Sequence, residues 1–509
     1  MVAWNNMKKT TLLFTAIMPG ICALASARDM SFAGKFYPAD KKELAAFVDS
    51  ALARAEIPGL RGAVRGVIVP HAGYPFSGGI AAYAYKAISD DYELVVILGA
   101  GHTVSVKGAA LLAGGYYETP LGRVPIDEKI SGELIKASPL FEDLPAAHAN
   151  EHSVEVQLPF LQRRIKKPFK LVAAVLNNAA PDDLAAIGRI LGKKLKGRKA
   201  LLVVSTDLSH YPKHEDARLA DNTLALAIKT MDPGYFRLAN RILLSKGVPE
   251  LATCACGEAA VTAAMAAVNE LGPSRFVELK YGDSYTPAPH FGSFGKSAGQ
   301  APDFAGPERV VGYLAGAFVA ADKAAAGKID LDPEQKKILL AAARTEIENR
   351  LLGKKTPPGG LSKDYAFNLP GAVFVTLTEG GVLRGCVGTI EPRMTLLDAV
   401  RYGAAAAAFE DTRFKPLEKE ELKKIKAEIS ILSPLRKAAG AAEIIPHKQG
   451  VVLVRDRHSG LFLPQVWEQI PDKEAFLSEL CSQKAGLERN CWRDKKTHLY
   501  VFTVDSFAE

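Results

Sequence analysis

Leu201-Leu202-Val203-Val204-Ser205-Thr206-Asp207-Leu208-Ser209-His210 joins a short apolar run to a polar cluster, and its reading decides the fold. An unbroken apolar run of this length, without alternation, fits a strand buried on both faces, as inside a parallel sheet. Outward from it, the same grammar recurs between Val64 and Phe318: a short apolar run, a glycine or polar turn, then a helical stretch. The other runs are Val67-Ile68-Val69, Leu94-Val95-Val96-Ile97-Leu98 and Leu171-Val172-Ala173-Ala174-Val175. Strands alternating with helices predict an α/β domain, a parallel-rich sheet flanked by helices.

Three of these runs end in polar clusters: Pro70-His71-Ala72-Gly73-Tyr74, Gly99-Ala100-Gly101-His102, and Ser205 to His210. In an open parallel sheet, ligands bind beyond the carboxyl ends of the strands, so His71, His102, Asp207 and His210 are expected to converge. A single such histidine reads most simply as a cap or core group; the recurrence points to a site. Glu151-His152 and Cys254-Ala255-Cys256-Gly257 add nitrogen, oxygen and sulfur donors suited to a transition metal. Imidazole with thiolate suits iron, copper or zinc, and ligand type leaves the three open. On a strand Cys254 and Cys256 would share a face; one ligand beside one packing residue is the economical reading, with Cys254 in the core.

At 509 residues and 48% hydrophobic, the chain can bury more than one core. Ala321-Asp322-Lys323-Ala324-Ala325-Ala326-Gly327-Lys328 lacks apolar periodicity, and residues 321–332 read as a linker between a domain over 28–320 and one over 333–509. Asp332-Pro333-Glu334 supplies an N-cap, a first-turn proline and an early carboxylate for an amphipathic helix. Val373 to Thr378 with Val382 to Ile390 reads as a hairpin, as does Val451 to Val454 with Leu461 to Leu463 around Ser459-Gly460. With helices near 396–410 and 473–486, this second domain is expected to be α+β.

Lys8-Lys9, an apolar stretch from Leu12 to Leu24 and Ala25-Ser26-Ala27 form a signal-peptide layout over residues 1–27, with cleavage expected after Ala27. The stretch is shorter than the roughly 20 residues that span a bilayer. The expected location is therefore periplasmic or extracellular, or cytoplasmic if that leader is misread, with no membrane span in the mature chain. Removing Lys8 and Lys9 lowers the formal charge from +8 to +6. The densest basic run, Lys193 to Lys199, lacks the interleaved aromatics of nucleic-acid platforms, and no nucleic-acid partner is expected. Five cysteines would remain, too sparse for a disulfide scaffold, although Cys481 and Cys491 could pair in an oxidising compartment.

Together, Pro70 to Tyr74 with Ser77-Gly78, Leu98 through His102, Glu151-His152-Ser153-Val154-Glu155, Ser205 to His210, Cys256-Gly257 and Val311-Gly312-Tyr313 resemble the Memo family, relatives of the class III extradiol dioxygenases. The resemblance implies a metal held by His71, His102 and Cys256, with Asp207 and His210 beside it. It favours iron or copper, with zinc behind them. The sequence departs from the family pattern at Ala100 and Thr103, so one pocket histidine is missing. His210 is the expected proton-transfer group, with Asp207 orienting it or ligating in its place; Glu151 and His152 are expected elsewhere in the pocket.

Leu383-Arg384-Gly385-Cys386-Val387-Gly388, Glu410-Asp411-Thr412-Arg413-Phe414 and Leu463-Pro464-Gln465-Val466 resemble the AMMECR family. Arg384 and Cys386 mark a candidate second site there, as a reactive thiol or a packing cysteine. The fusion resembles the AmmeMemoRadiSam system, which implies a separate radical-SAM partner, since the chain has no Cys-x3-Cys-x2-Cys run. The expected function is redox chemistry of a dioxygenase-like, metal-dependent kind on an unidentified substrate. Its rivals are a non-catalytic metal- or peptide-binding module and a zinc-type hydrolase.

Overall fold

The computed structural model describes residues 27–286, 306–323, 330–354 and 360–509. The leader through Ser26 and part of the expected linker, residues 324–329, lie outside the described residues.

The N-terminal half is built on an eight-stranded sheet. Its centre is four parallel strands in the spatial order Val64–Val69, Ala200–Ser205, Leu94–Ala100 and Lys170–Leu176. On one side it is extended by Gly312–Ala320 and then Ser274–Asp283, each antiparallel to its neighbour. On the other come Ala109–Leu111, antiparallel, and Phe141–Asp143, parallel to that last strand. The unalternating apolar runs are explained by two cores. Val67, Val69, Val95 and Ile97 face one, and Ile68, Leu94, Val96 and Leu98 face the other, so both sides of each strand are dry.

Helices cover both faces. Pro181–Leu195 and Glu258–Glu270 pack closely because Gly188 and Gly192 line the contact; a Cβ on Gly188 would lie 2.2 Å from the Ala263 carbonyl oxygen. The parallel strands all end at one pole, and Pro70-His71, Thr206-Asp207 and Gly101-His102 leave the sheet there.

The C-terminal half is α+β. One antiparallel sheet runs Val382–Gly388, Ala372–Glu379, Ile425–Leu432, Val504–Ala508; a second runs Arg436–Lys437, His498–Phe502, Gly450–Arg455, His458–Phe462. The helix Pro333–Leu351 opens on a reciprocal capping box between Asp332 and Gln335. The second hairpin turns earlier than its sequence suggests. Arg455 pairs with His458, and Asp456 takes a left-handed φ of 55°, so Asp456-Arg457 make the turn. Ser459-Gly460 lie within the strand, where a Cβ on Gly460 would meet Lys484 at 2.8 Å. Among the described residues, no helix is long and apolar enough to cross a membrane.

Candidate metal centre

Neighbouring strand ends set the first two groups. Val69 and Ser205 are register partners, so His71 and Asp207 emerge side by side and the His71 backbone N–H donates to Asp207 Oδ1 at 2.7 Å. Cys256 comes from the loop before the helix Glu258–Glu270. The Asp207 N–H donates to its Sγ at 3.3 Å, and the Gly257 N–H donates to Thr206 Oγ1 at 2.9 Å. Residue 257 must be glycine for this approach, because a Cβ there would lie 2.7 Å from Thr206 Cβ. His102 leaves its strand through Gly101, and its N–H donates to Glu151 Oε2 at 2.7 Å.

His71, His102 and His152 bring one ring nitrogen each within 4.8 Å of one another. Their ring centroids are 5.1 Å (71–102), 5.2 Å (71–152) and 4.6 Å (102–152) apart. His152 begins a short helix, His152–Glu155, capped by Glu151, and its ring lies against Phe36 and Phe32, at 4.6 and 5.5 Å.

The hydrogen bonds fix which nitrogen each histidine offers. Ser205 Oγ donates its single proton to the Ser153 carbonyl at 2.6 Å. It must therefore accept from both the Gln157 amide and His71 Nδ1, each at 2.9 Å. His71 thus carries its proton on Nδ1 and leaves Nε2 unprotonated, facing Cys256 Sγ at 3.1 Å. His102 Nδ1 lies 2.9 Å from Glu151 Oε1, and a carboxylate accepts only, so Nε2 is again the unprotonated atom. This pairing of ligand imidazole with an acceptor behind it is how metal-binding histidines are held and made more basic.

The electrostatics agree with cation binding. Burial, then the neighbouring His102, pushes His71 well below the usual histidine range. Burial, then His71 and His102, does the same to His152. Both are neutral and able to ligate. Burial also opposes charge on His102, but the Glu151 hydrogen bond and charge outweigh it and raise its pKa. Glu151 is pushed up by burial, yet His102 and the Ser153 N–H hold it well below the carboxylate range. Burial raises the Cys256 thiol, with Asp207 adding to it; a thiolate there needs a cation. Burial raises Asp207 too, against the opposing charge of His210.

Several expected placements change in detail. His152, expected only in the surrounding pocket, stands in the three-imidazole group. Cys256 Sγ lies 3.1 Å from His71 Nε2 but is outside that group of three. Asp207 does not orient His210 by a hydrogen bond: His210 Nδ1 donates to the Leu208 carbonyl at 2.9 Å, and its backbone bridges to Thr253 and Val311. Asp207 instead lies beside His71, with Oδ2 3.9 Å from Nε2. Cys254 is buried in the core, but in a loop and not on a strand, so it and Cys256 part ways. Sequence reasoning missed Ser205 and Gln157 as the supports of His71, because nothing local marks them. It also missed Arg28, whose buried guanidinium pairs with Glu155 at 2.7 Å and donates to the carbonyls of His148 and Glu151, fixing the segment that carries His152.

In the C-terminal half, Arg384 is not beside the Cys386 thiol. Leu377 pairs with Gly385 and Thr378 with Leu383, which leaves Arg384 as the extra residue of a bulge. Its guanidinium turns to Glu421, at 2.7 Å. Cys386 is partly exposed. Its Sγ accepts from Thr376 Oγ1 at 3.3 Å, and its N–H donates to Asp411 at 2.9 Å.

A family model described as Memo-like protein matches residues 28–293, and one described as AMMECR1 matches residues 340–507. A MEMO1 family protein of Nitrosopumilus maritimus is 34% identical over 254 residues, which cover 49% of this chain and 90% of the relative. Another, from Aquifex aeolicus, is 36% identical over 257 residues, covering 50% and 92%. A crystal structure of an uncharacterized protein from Pyrococcus horikoshii is 35% identical, covering 35% of this chain and 93% of that one, with a TM-score of 0.33.

Proposed function

The chain belongs to the Memo-like family, and from that membership and its pocket we propose a transition-metal protein of the AmmeMemoRadiSam type that carries out redox chemistry on a small-molecule or protein substrate. The observation that carries this reading is the group of three imidazoles within 4.8 Å, two of them fixed with Nε2 unprotonated. His71, His102 and His152 would hold the ion, with Cys256 as a fourth donor beside His71. Such an ion, iron or copper first on this donor set, supplies one-electron or Lewis-acid chemistry when bound.

The protein's own groups do the rest. Leu208 O holds the His210 proton on Nδ1, leaving Nε2 to accept or return a substrate proton. Asp207, buried and raised, is the neighbouring acid. The radical-SAM partner rests on the joint presence of the two matched regions. Export rests on the leader layout and on the Cys481–Cys491 disulfide, a bond that persists in oxidising compartments.

A zinc-type hydrolase is the second reading, favoured by the same observation, since three protein ligands with an open position are the catalytic zinc arrangement. Oxygen uptake separates the two. The redox reading expects the iron- or copper-loaded protein to consume oxygen with candidate phenols, and His210→Ala to lose at least tenfold in rate while keeping its metal. Turnover that persists with zinc and without oxygen contradicts it.

A further inference from the structure

The opposite pole of the N-terminal sheet holds a second concavity that the metal centre does not use. It is a cavity of about 600 Å³, within the range of small-molecule sites. Its walls are the segments that enter the sheet: Leu60 and Gly62 to Arg65 at the start of one central strand, Lys86 to Ser89 with Asp91 and Tyr92 before the second, and Lys196 to Ala200 at the start of the third. The metal centre lies beyond the other ends of those strands, about 20 Å away for six residues at ~3.3 Å each.

The charge of this lining is one-sided. Arg65, Lys86, Arg164, Lys196, Arg198 and Lys199 face it, against a single carboxylate, Asp91. Asp91 is already committed to Lys167 and Lys199, and those hydrogen bonds hold it below the usual carboxylate range. No carboxylate pairs with Lys86, Arg164, Lys196 or Arg198 among the described residues.

Helix dipoles are the competing explanation, since Tyr74–Ala87, Leu158–Arg164, Pro181–Leu195 and Glu258–Glu270 all end at this pole. Each carboxyl end is worth roughly half a negative charge, so together they offset about two of the five net positive charges. Arg164 and Arg198 do cap backbone carbonyls, of Ile88 and Lys194. Among the described residues, Lys86 and Lys196 hold neither a carbonyl nor a carboxylate. The same lining includes the apolar Leu60, Ile88 and Leu195.

We infer that this pole is a binding site for a small phosphate-bearing anion, with Lys86 and Lys196 as its free point charges and the Arg164 and Arg198 guanidinium groups as its fixed forks. A concave site with apolar residues in its lining suits a compact phosphate ester or diphosphate better than an extended polyanion, which needs a long groove.

The test is calorimetric titration of the full chain with inorganic pyrophosphate at about 150 mM salt, where non-specific attraction is screened. One saturable site per chain is expected. The Lys86→Gln/Lys196→Gln double variant should weaken it at least tenfold, with metal content unchanged. Because pyrophosphate also chelates metals, a His71→Ala chain is titrated alongside and should bind as the wild type does. Absence of saturable binding overturns the site, as does binding that survives the double substitution or vanishes in His71→Ala. Tighter binding to a single-stranded oligonucleotide or to phosphatidylglycerol vesicles at the same salt overturns the small-anion assignment.

Discussion

Glu151 accepts from the His102 backbone N–H, from His102 Nδ1 and from the Ser153 N–H, so one carboxylate sets the position, tautomer and basicity of one proposed ligand while capping the helix that bears another. Glu151→Gln keeps the size but replaces one accepting oxygen by a donor. It should weaken metal binding by about 10- to 100-fold, read by competition with a metal-binding dye, and leave the fold intact by circular dichroism. A second histidine gives a pH signature. His148 is fully buried, with Nε2 donating to the Ala110 carbonyl and Nδ1 facing the Tyr117 hydroxyl, and burial lowers its pKa to about 4. A histidine depressed in the folded state binds its proton more readily when unfolded, so its contribution is present above about pH 6.5 and is lost as pH falls toward 4. Between pH 7.5 and 5.5 the wild type should lose about 1.4 kcal/mol more stability than His148→Gln, measured by denaturant unfolding. Other depressed histidines act in the same direction in both proteins and cancel in the comparison.

At the scale of elements, the helices Pro181–Leu195 and Glu258–Glu270 pack closely against each other through Gly188 and Gly192. Gly188→Ala would drive a methyl group to 2.2 Å from a backbone oxygen, and the helices must part; a loss of about 1–3 kcal/mol is expected from thermal unfolding. What the sequence made legible follows the same physics. Buried strands announce themselves as unbroken apolar runs, so the central sheet and the pole that gathers His71, His102 and Asp207 are legible from the residues alone. Details decided by a single residue are not. The hairpin at Asp456-Arg457 depends on one left-handed backbone, and the turn of Arg384 toward Glu421 depends on a one-residue bulge. The entry of His152 into the three-imidazole group depends on Glu151, Arg28 and two phenylalanines distant in sequence. Ser205 looks like one more strand residue until its single proton is assigned.

Across the whole molecule, the two halves touch through specific polar contacts. Tyr235 donates to the Pro370 carbonyl at 2.8 Å, the Asn368 amide donates to Thr223 Oγ1 at 3.4 Å, and Lys246 pairs with Asp398 at 2.8 Å. The metal centre and the cationic cavity sit at opposite ends of one sheet, so each can be altered without touching the other. The metal centre is the first of them to test. Elemental analysis of the purified full-length chain and of its His71→Ala variant, both shown folded, tests it most directly. About one transition-metal ion per wild-type chain is expected, with most of it lost in the variant. A wild-type chain without stoichiometric metal, or a His71→Ala chain that keeps its full content, would contradict it.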